Sequence, residues 1–349
     1  MNTSENNLKE LIKARAQRLG FSLAGVTKPA PLEGFPVYEQ WLQSGFHAGM
    51  QYLETPYHNE TRRDPSKLMP GIKSILCLAY PNAMHPIAKM TDSNTLLIAG
   101  YASGADYHFV LAEKMKSLVS FIEGQIGAPV QSKQLTDSSP LLERELAQQA
   151  GLGWIGRNSC LISPTIGSAF LLCEILLDID LSPDAPFKNN LCGTCQRCLK
   201  SCPTGCIQAN CTIDSRNCIS YHTIENKGMV PGDIADTINN WLFGCDICQM
   251  VCPWNKDTLT GNPENEISIS QAITFLEMDQ GKFNHEFANS AIKRAKYSGF
   301  MRNLLIALAN VESPQCLPLI TRFHTKCTDP MLQATAVWAI RKLENKTPL

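Results

Sequence analysis

Cys192-Gly-Thr-Cys195-Gln-Arg-Cys198-Leu-Lys-Ser-Cys202-Pro203 is the stretch from which the rest of the chain is read. Its C-x-x-C-x-x-C-x-x-x-C-P spacing is the bacterial ferredoxin pattern for iron-sulfur clusters, so it predicts electron transfer. A second, shorter copy follows in Cys245-Asp-Ile-Cys248-Gln-Met-Val-Cys252-Pro253 and lacks a leading cysteine, for which Cys218 is the natural replacement. In two-cluster ferredoxins the fourth cysteine of each run ligates the other cluster. That rule gives one cluster to Cys192, Cys195, Cys198 and Cys252, and the other to Cys202, Cys218, Cys245 and Cys248. Structural zinc also accepts four thiolates from C-x-x-C knuckles, but it gives no account of the two C-x-x-x-C-P tails.

Of the 349 residues, 44% are apolar and 18% charged, an ordinary globular composition with length for two or three domains. The polar first residues lack the basic and apolar pattern of a signal peptide, which predicts a cytoplasmic protein with reduced thiols and no membrane anchor. The best apolar run, Phe170–Leu177, is interrupted by Glu174, is far too short to span a bilayer and reads as a buried strand. The net charge of -1 is unevenly spread. From Lys282 onward the chain carries ten Lys or Arg against four Asp or Glu, which leaves -7 on residues 1–281. A basic tail fits an acidic partner such as nucleic acid, or a merely solvated helical face.

Leu8, Leu11, Ile12 and Leu19 recur at helical spacing and predict a helix over residues 5–19. Residues 74–80 read as a strand, 106–122 as a helix and 130–136 as a strand delivering Asp137. Ser139-Pro140 then reads as an N-cap opening a helix that ends at Gly151. Such alternation predicts a mixed α+β or α/β domain over residues 1–185. A cysteine-rich module over 186–258 and an all-helical tail over 259–349 follow. In the tail, residues 301–308 and 333–340 repeat in apolar register at a 32-residue offset, punctuated by Pro314 and Pro330, as in a short HEAT-type repeat.

Asp137 stands at a strand-to-helix turn, where it is either a helix cap or a reactive carboxylate. In Gly151-Leu-Gly153-Trp154-Ile-Gly156-Arg157-Asn158 three glycines accompany an aromatic and a cation. The run suits either a tight turn or close approach to a flat or phosphate-bearing ligand, and it follows a helix, which argues against a dinucleotide fingerprint. Tyr101-Ala-Ser-Gly-Ala-Asp106-Tyr107-His108 gathers aromatic and ionisable groups before a helix. It begins like the cobalt-ligating D-x-H-x-x-G signature, but Leu111 occupies the glycine position, so His108 is not assigned as an axial ligand. Ser220 and His222 lie just after Cys218. Arg63, in Arg62-Arg63-Asp64-Pro65, suits an anionic cofactor side chain or a structural ion pair.

Together these segments resemble the epoxyqueuosine reductase family, over nearly the whole chain. The carriers are His47-Ala-Gly-Met50-Gln-Tyr-Leu, Arg63-Asp-Pro, Tyr101-x-x-Gly104-x-Asp-Tyr-His108, Asp137-Ser-Ser-Pro-Leu-Leu-Glu143 and Ala150-Gly-Leu-Gly-Trp-Ile-Gly156-Arg-Asn, with Asn217-Cys-Ile-Ser-Tyr-His-Thr-Ile224 and Gly244-Cys-Asp-Ile-Cys-Gln-x-Val-Cys-Pro-Trp254. Arg157 departs from a lysine common at its place.

The resemblance implies a nitroreductase-like cobalamin domain, a ferredoxin-like module with two 4Fe-4S clusters and a HEAT-like tRNA-binding tail. It also implies reduction of epoxyqueuosine to queuosine at the tRNA wobble position, with electrons passed through the clusters to cobalamin. By the same resemblance Asp137 is the general acid. Cobalamin, bound without a histidine axial ligand, is expected near Arg63, Tyr101, Asp137, Trp154, Arg157, Asn158, Ser220 and His222, and tRNA phosphates near Lys293, Arg294, Lys296 and Arg302. The expected partners are tRNA carrying epoxyqueuosine and a flavodoxin- or ferredoxin-type one-electron donor, acting on a monomer. Two rivals remain: a corrinoid reductive dehalogenase, against which the basic tail argues, and a ferredoxin-like carrier, which leaves the first domain without a purpose.

Overall fold

The structure is a computed structural model that describes residues 3–313 and 315–345. Met1, Asn2, Pro314 and residues 346–349, all drawn on in the sequence reading, lie outside the described residues. Helix α1 (Thr3–Arg18) leads through Gly20, at φ +95°, into strand β1 (Leu23–Thr27). Helices α2 (Phe35–Gln43) and α3 (Pro56–Arg63) each carry a proline in the first turn, where its missing N–H costs nothing. Then come β2 (Ser74–Pro81), β3 (Thr95–Ile98), α4 (Tyr107–Ile126), β4 (Ser132–Leu135), α5 (Glu143–Gln149), the β5 (Trp154–Ile155) and β6 (Leu161–Ile162) hairpin, and β7 (Phe170–Leu177).

The main sheet runs β1-β2-β7-β4 and every pairing in it is antiparallel. Leu76 and Leu78 point to the face covered by α1 and α4, where Ile12, Leu111 and Met115 are buried. Ile75, Cys77 and Ala79 point to the other face, against Leu146 and Ala147 of α5. Helices on both faces bury both sets, so the strands read as near-continuous apolar runs and resemble parallel strands in sequence. The fold is thus mixed α+β around an antiparallel sheet, within the class that the alternation of helices and strands predicted.

The helix after β4 begins three residues later than its proposed Ser139-Pro140 cap. Its N-cap is Leu142, which makes no side-chain cap bond, because buried Leu141 anchors the preceding segment in place. Asp137 therefore caps no helix.

The cysteine segment contributes α6 (Arg197–Ser201), α7 (Ile219–Ile224), α8 (Gly232–Thr237), β8 (Trp241–Phe243) and α9 (Ile247–Met250). The tail contributes β9 (Glu266–Ser268), α10 (Ile269–Phe275), α11 (Gln280–Glu286), α12 (Lys296–Asn310), α13 (Cys316–Lys326) and α14 (Pro330–Glu344). Strand β3 pairs parallel with β8 and antiparallel with β9, so one small sheet ties all three segments together. The repeating segments 301–308 and 333–340 fall in α12 and α14, which pack on each other with Ala307 and Ala339 fully buried. Among the described residues no helix is long and apolar enough to cross a membrane.

Candidate functional site: two thiol quartets and a carboxylate

Each C-x-x-x-C-P tail bends the chain in the same way. Cys202 ends α6 in an extended conformation (φ -69°, ψ 115°), and Cys252 does likewise (φ -73°, ψ 125°), as a residue before proline must. Each thiol is thereby thrown away from the cysteines of its own run. Burial raises the Cys198 thiol, and its thiol neighbours are Cys192, Cys252 and Cys195. Burial also raises Cys245, whose thiol neighbours are Cys218 and Cys202, and Cys248, whose thiol neighbours are Cys160, then Cys245 and Cys218. The eight thiols thus gather in the two groups of the crossed pattern, with Cys206 inserted 3.5 Å from Cys202 in the second and Cys160 lying beside Cys248 between them. Cys192, Cys195, Cys198 and Cys252 line one cavity of about 70 Å³ with Arg157, Asn158 and Trp254. Backbone N–H groups of Ile247 and Trp254 point at the Cys245 and Cys252 sulfurs, and those of Ser220 and Tyr221 at Cys218, donors of the kind that tune cluster potentials.

The two quartets sit at different depths. Around the first, residues 188–190, 193, 194, 196 and 197 are exposed. Around the second, Trp241 to Gly244, Asp246 and Ile247 are buried. Gly244, at φ +71°, lets Ala99 approach, since an added Cβ would lie 2.4 Å from the Ala99 Cβ, and Tyr101 packs on Phe243 beside it with ring centroids 6.2 Å apart.

Tyr101 connects Phe243 to Asp137. Its ring meets Tyr107 edge-on at 5.9 Å, and the Tyr107 hydroxyl donates to Asp137 Oδ2 at 2.9 Å. Burial, then Asp137, raises the Tyr107 phenol, so it stays protonated as a donor. Asp137 sits at φ +54°, in the left-handed region that Asp tolerates better than most residues, and its side chain is 70% exposed. Its N–H donates to Glu143 Oε1 at 2.7 Å. His108 Nε2 lies 3.8 Å from Asp137 Oδ2. Behind them Glu174 is fully buried on the α5 face of β7, opposite Leu135, and neither of its oxygens has a protein partner. Burial, then Glu143, raises its carboxyl far above the usual range, so Glu174 is neutral.

The other residues singled out in the sequence divide. Ser220 is half-buried beside Cys218. Trp154 does not stand beside Asp137, since its buried indole N–H donates to Cys192 Sγ at 3.4 Å. Arg157 donates to the Gly193 carbonyl at 2.9 Å, and buried Asn158 to the Cys248 carbonyl at 3.4 Å. Both belong to the thiol module. The glycines of that run serve the β5-β6 hairpin, where a Cβ on Gly153 would meet the Ile162 carbonyl at 2.1 Å.

His222 is buried with both ring nitrogens occupied, by the Arg216 carbonyl and Asn226, so its imidazole has nothing to offer a cofactor. Arg63 makes the structural ion pair, 3.6 Å from Glu39 and over the Phe35 ring. Its neighbour Arg62 instead stands among Tyr38, Tyr52 and Glu143.

In the tail, Lys293, Arg294 and Lys296 are exposed, and Arg294 pairs with Glu225 through two bonds of 2.7 and 3.0 Å. Arg302 is corrected: it is fully buried, and its guanidinium donates to the carbonyls of His222, Asn226 and Gly228, so it meets no phosphate. Helical register alone does not say which cations face inward. Tyr107, Arg62 and Glu143 were missed as site residues, although each lies within or beside a motif already singled out.

A family model described as 4Fe-4S double cluster binding domain matches residues 191–255, and one described as Epoxyqueuosine reductase QueG, DUF1730 matches residues 62–138. An epoxyqueuosine reductase of Cyclobacterium marinum is 40% identical over 87% of this chain and 97% of its own length. The chain belongs to the epoxyqueuosine reductase family. The Vibrio cholerae member is 35% identical over 97% of this chain and 93% of its own length. A crystal structure of epoxyqueuosine reductase with an epoxyqueuosine-modified tRNA stem loop superposes at a TM-score of 0.86, with 29% identity, covering 97% of this chain and 91% of that one. A reductive dehalogenase reaches a TM-score of only 0.40 at 14% identity, too distant to carry an argument for that rival.

Proposed function

We propose that this epoxyqueuosine reductase reduces epoxyqueuosine to queuosine at the wobble position of tRNA, the last step of queuosine biosynthesis. One observation carries the placement of the chemistry: side-chain contacts run from Asp137 through Tyr107 and Tyr101 to Phe243, two residues before Cys245 in the chain. The crossed quartets would hold the two clusters, and an external flavodoxin- or ferredoxin-type donor would meet the exposed loop around Cys192 and Cys195. The enzyme is read as a cytoplasmic monomer, with a nitroreductase-like first domain and a HEAT-like tail.

The residues around Asp137 would fit a flat corrin. Tyr52 is exposed and offers an aromatic face, and the imidazole of His222 is engaged on both nitrogens, by the Arg216 carbonyl and Asn226. Tyr101 and Ser220 would hold the cofactor on the cluster side. Cobalamin, when bound there, supplies low-valent cobalt for attack on the strained ring. The chain's own groups do the rest. Asp137 protonates the departing oxygen, Tyr107 fixes its carboxyl, and Glu143 holds its backbone in the left-handed turn.

Lys293, Arg294 and Lys296 would take phosphates beside a splayed loop base, the part of an RNA that proteins read most readily. Anaerobic assay of cobalamin-loaded protein on epoxyqueuosine-containing tRNA, with mass analysis of the nucleosides, is expected to show loss of one oxygen. Unchanged nucleoside mass would overturn the reading.

A further inference from the structure

Conversion of an epoxide to an alkene breaks both C–O bonds, forms the C=C bond and releases the oxygen as water. Two electrons arrive from the external donor, and two protons must reach that one oxygen. Asp137 carries one proton at a time, so it must be reprotonated between the two steps. A group held beside the carboxylate would supply that proton directly.

His108 occupies that place. Its Nδ1 lies 2.7 Å from Asp106 Oδ1, and Asp106 is also the N-cap of α4, accepting from the His108 backbone N–H at 3.0 Å. Its ring stacks on Tyr107 at 4.1 Å between centroids. Both contacts fix the imidazole. With Nδ1–H donated to Asp106, Nε2 is the nitrogen that gains and loses a proton. That nitrogen stands 3.8 Å from Asp137 Oδ2, one small rotation or one bridging water from transfer, while the side chain keeps 36% of its surface exposed.

We propose that His108 is the relay that reloads Asp137, passing a proton from Nε2 to Asp137 Oδ2 between the two protonations of the leaving oxygen. This rests on the reading of Asp137 as the acid. Asp106 and Tyr107 face His108 from its own helix, and Asp137 faces it from the loop after β4. Around Asp137 stand Tyr101, Tyr52, Glu143 and Arg294. His108 acts through Asp137 and therefore orients and supplies it without touching substrate.

The test reads His108 itself. Exchange of the imidazole C2 hydrogen, followed by mass spectrometry of the holoenzyme against pH, gives the titration midpoint of each histidine. Asp137→Asn is expected to move the midpoint of His108 and to leave those of His285 and His324 in place. An unmoved His108 midpoint overturns the coupling, whether or not the enzyme acts on epoxyqueuosine. In single turnovers, His108→Gln is expected to slow oxygen loss about tenfold or more, with tRNA affinity and iron content unchanged and the rate restored by added imidazole. A His108→Gln enzyme with the wild-type rate, or one that imidazole does not rescue, overturns the relay. A wild-type enzyme that converts no epoxyqueuosine overturns the function, while the midpoint measurement still decides the coupling.

Discussion

The two thiol quartets are built from the same sequence device and sit in opposite surroundings. Cys192, Cys195, Cys198 and Cys252 border a cavity among exposed loop residues, with Lys188, Arg197 and Lys200 in solvent nearby. Cys218, Cys245 and Cys248 lie beside buried residues of β8 and α9, while Cys202 stands next to exposed Pro203 and Gly205, and Tyr101 packs between Phe243 of β8 and Tyr107, which donates to Asp137. On the proposed function, spacing sets what each quartet binds and depth sets what each is for: the outer quartet would be the port where electrons enter, and the inner one would deliver them.

Removing one ligand from each quartet gives the largest contrast. Cys245→Ser is expected to abolish turnover with any reductant, whereas Cys195→Ser should regain part of it with a strong small-molecule reductant that bypasses the port. Iron content should fall by about half in both. Equal responses of the two variants would erase the distinction between port and exit.

Next in size is the end of the inner line. Asp137→Asn should keep both clusters and bound cobalamin, yet lose about 10²- to 10⁴-fold in single-turnover rate. A near-wild-type rate would detach the inner quartet from this carboxylate. At the port, reversing Lys188, Arg197 and Lys200 together is expected to raise the KM for an acidic protein donor about tenfold at low salt, with tRNA affinity unaltered. Loss of tRNA binding instead would place the substrate at the wrong quartet.

The smallest effect lies beneath the inner site. Folding raises the Glu174 pKa, so the folded chain keeps a proton that the unfolded chain releases above about pH 4.3. Stability relative to Glu174→Gln should therefore fall as pH rises from there toward the folded pKa, by at most about 1.4 kcal/mol per pH unit. Denaturant midpoints of both proteins from pH 5 to 8 check this, and parallel curves would contradict it.

The cysteines were legible because ligand spacing is a local property of the chain. Asp137 was legible as a position, since a strand had to deliver it, but its cap role was not excluded until Leu141 and Leu142 were seen to delay the helix. Strand direction was hidden because pairing is non-local and both faces of the sheet are covered. Arg302 misled for a related reason. A cation in a basic stretch looks solvated, and only the carbonyls of residues 222, 226 and 228, far away in sequence, show what it holds.

Paramagnetic relaxation tests the central claim of unequal depth most directly. Reduced holoenzyme is frozen with a soluble dysprosium chelate, and separately with epoxyqueuosine-containing tRNA, and its cluster EPR signals are followed in power saturation. The account predicts that the chelate relaxes one cluster strongly while tRNA perturbs the other. Equal relaxation of both clusters by the chelate, or perturbation of the chelate-sensitive cluster by tRNA, would contradict it.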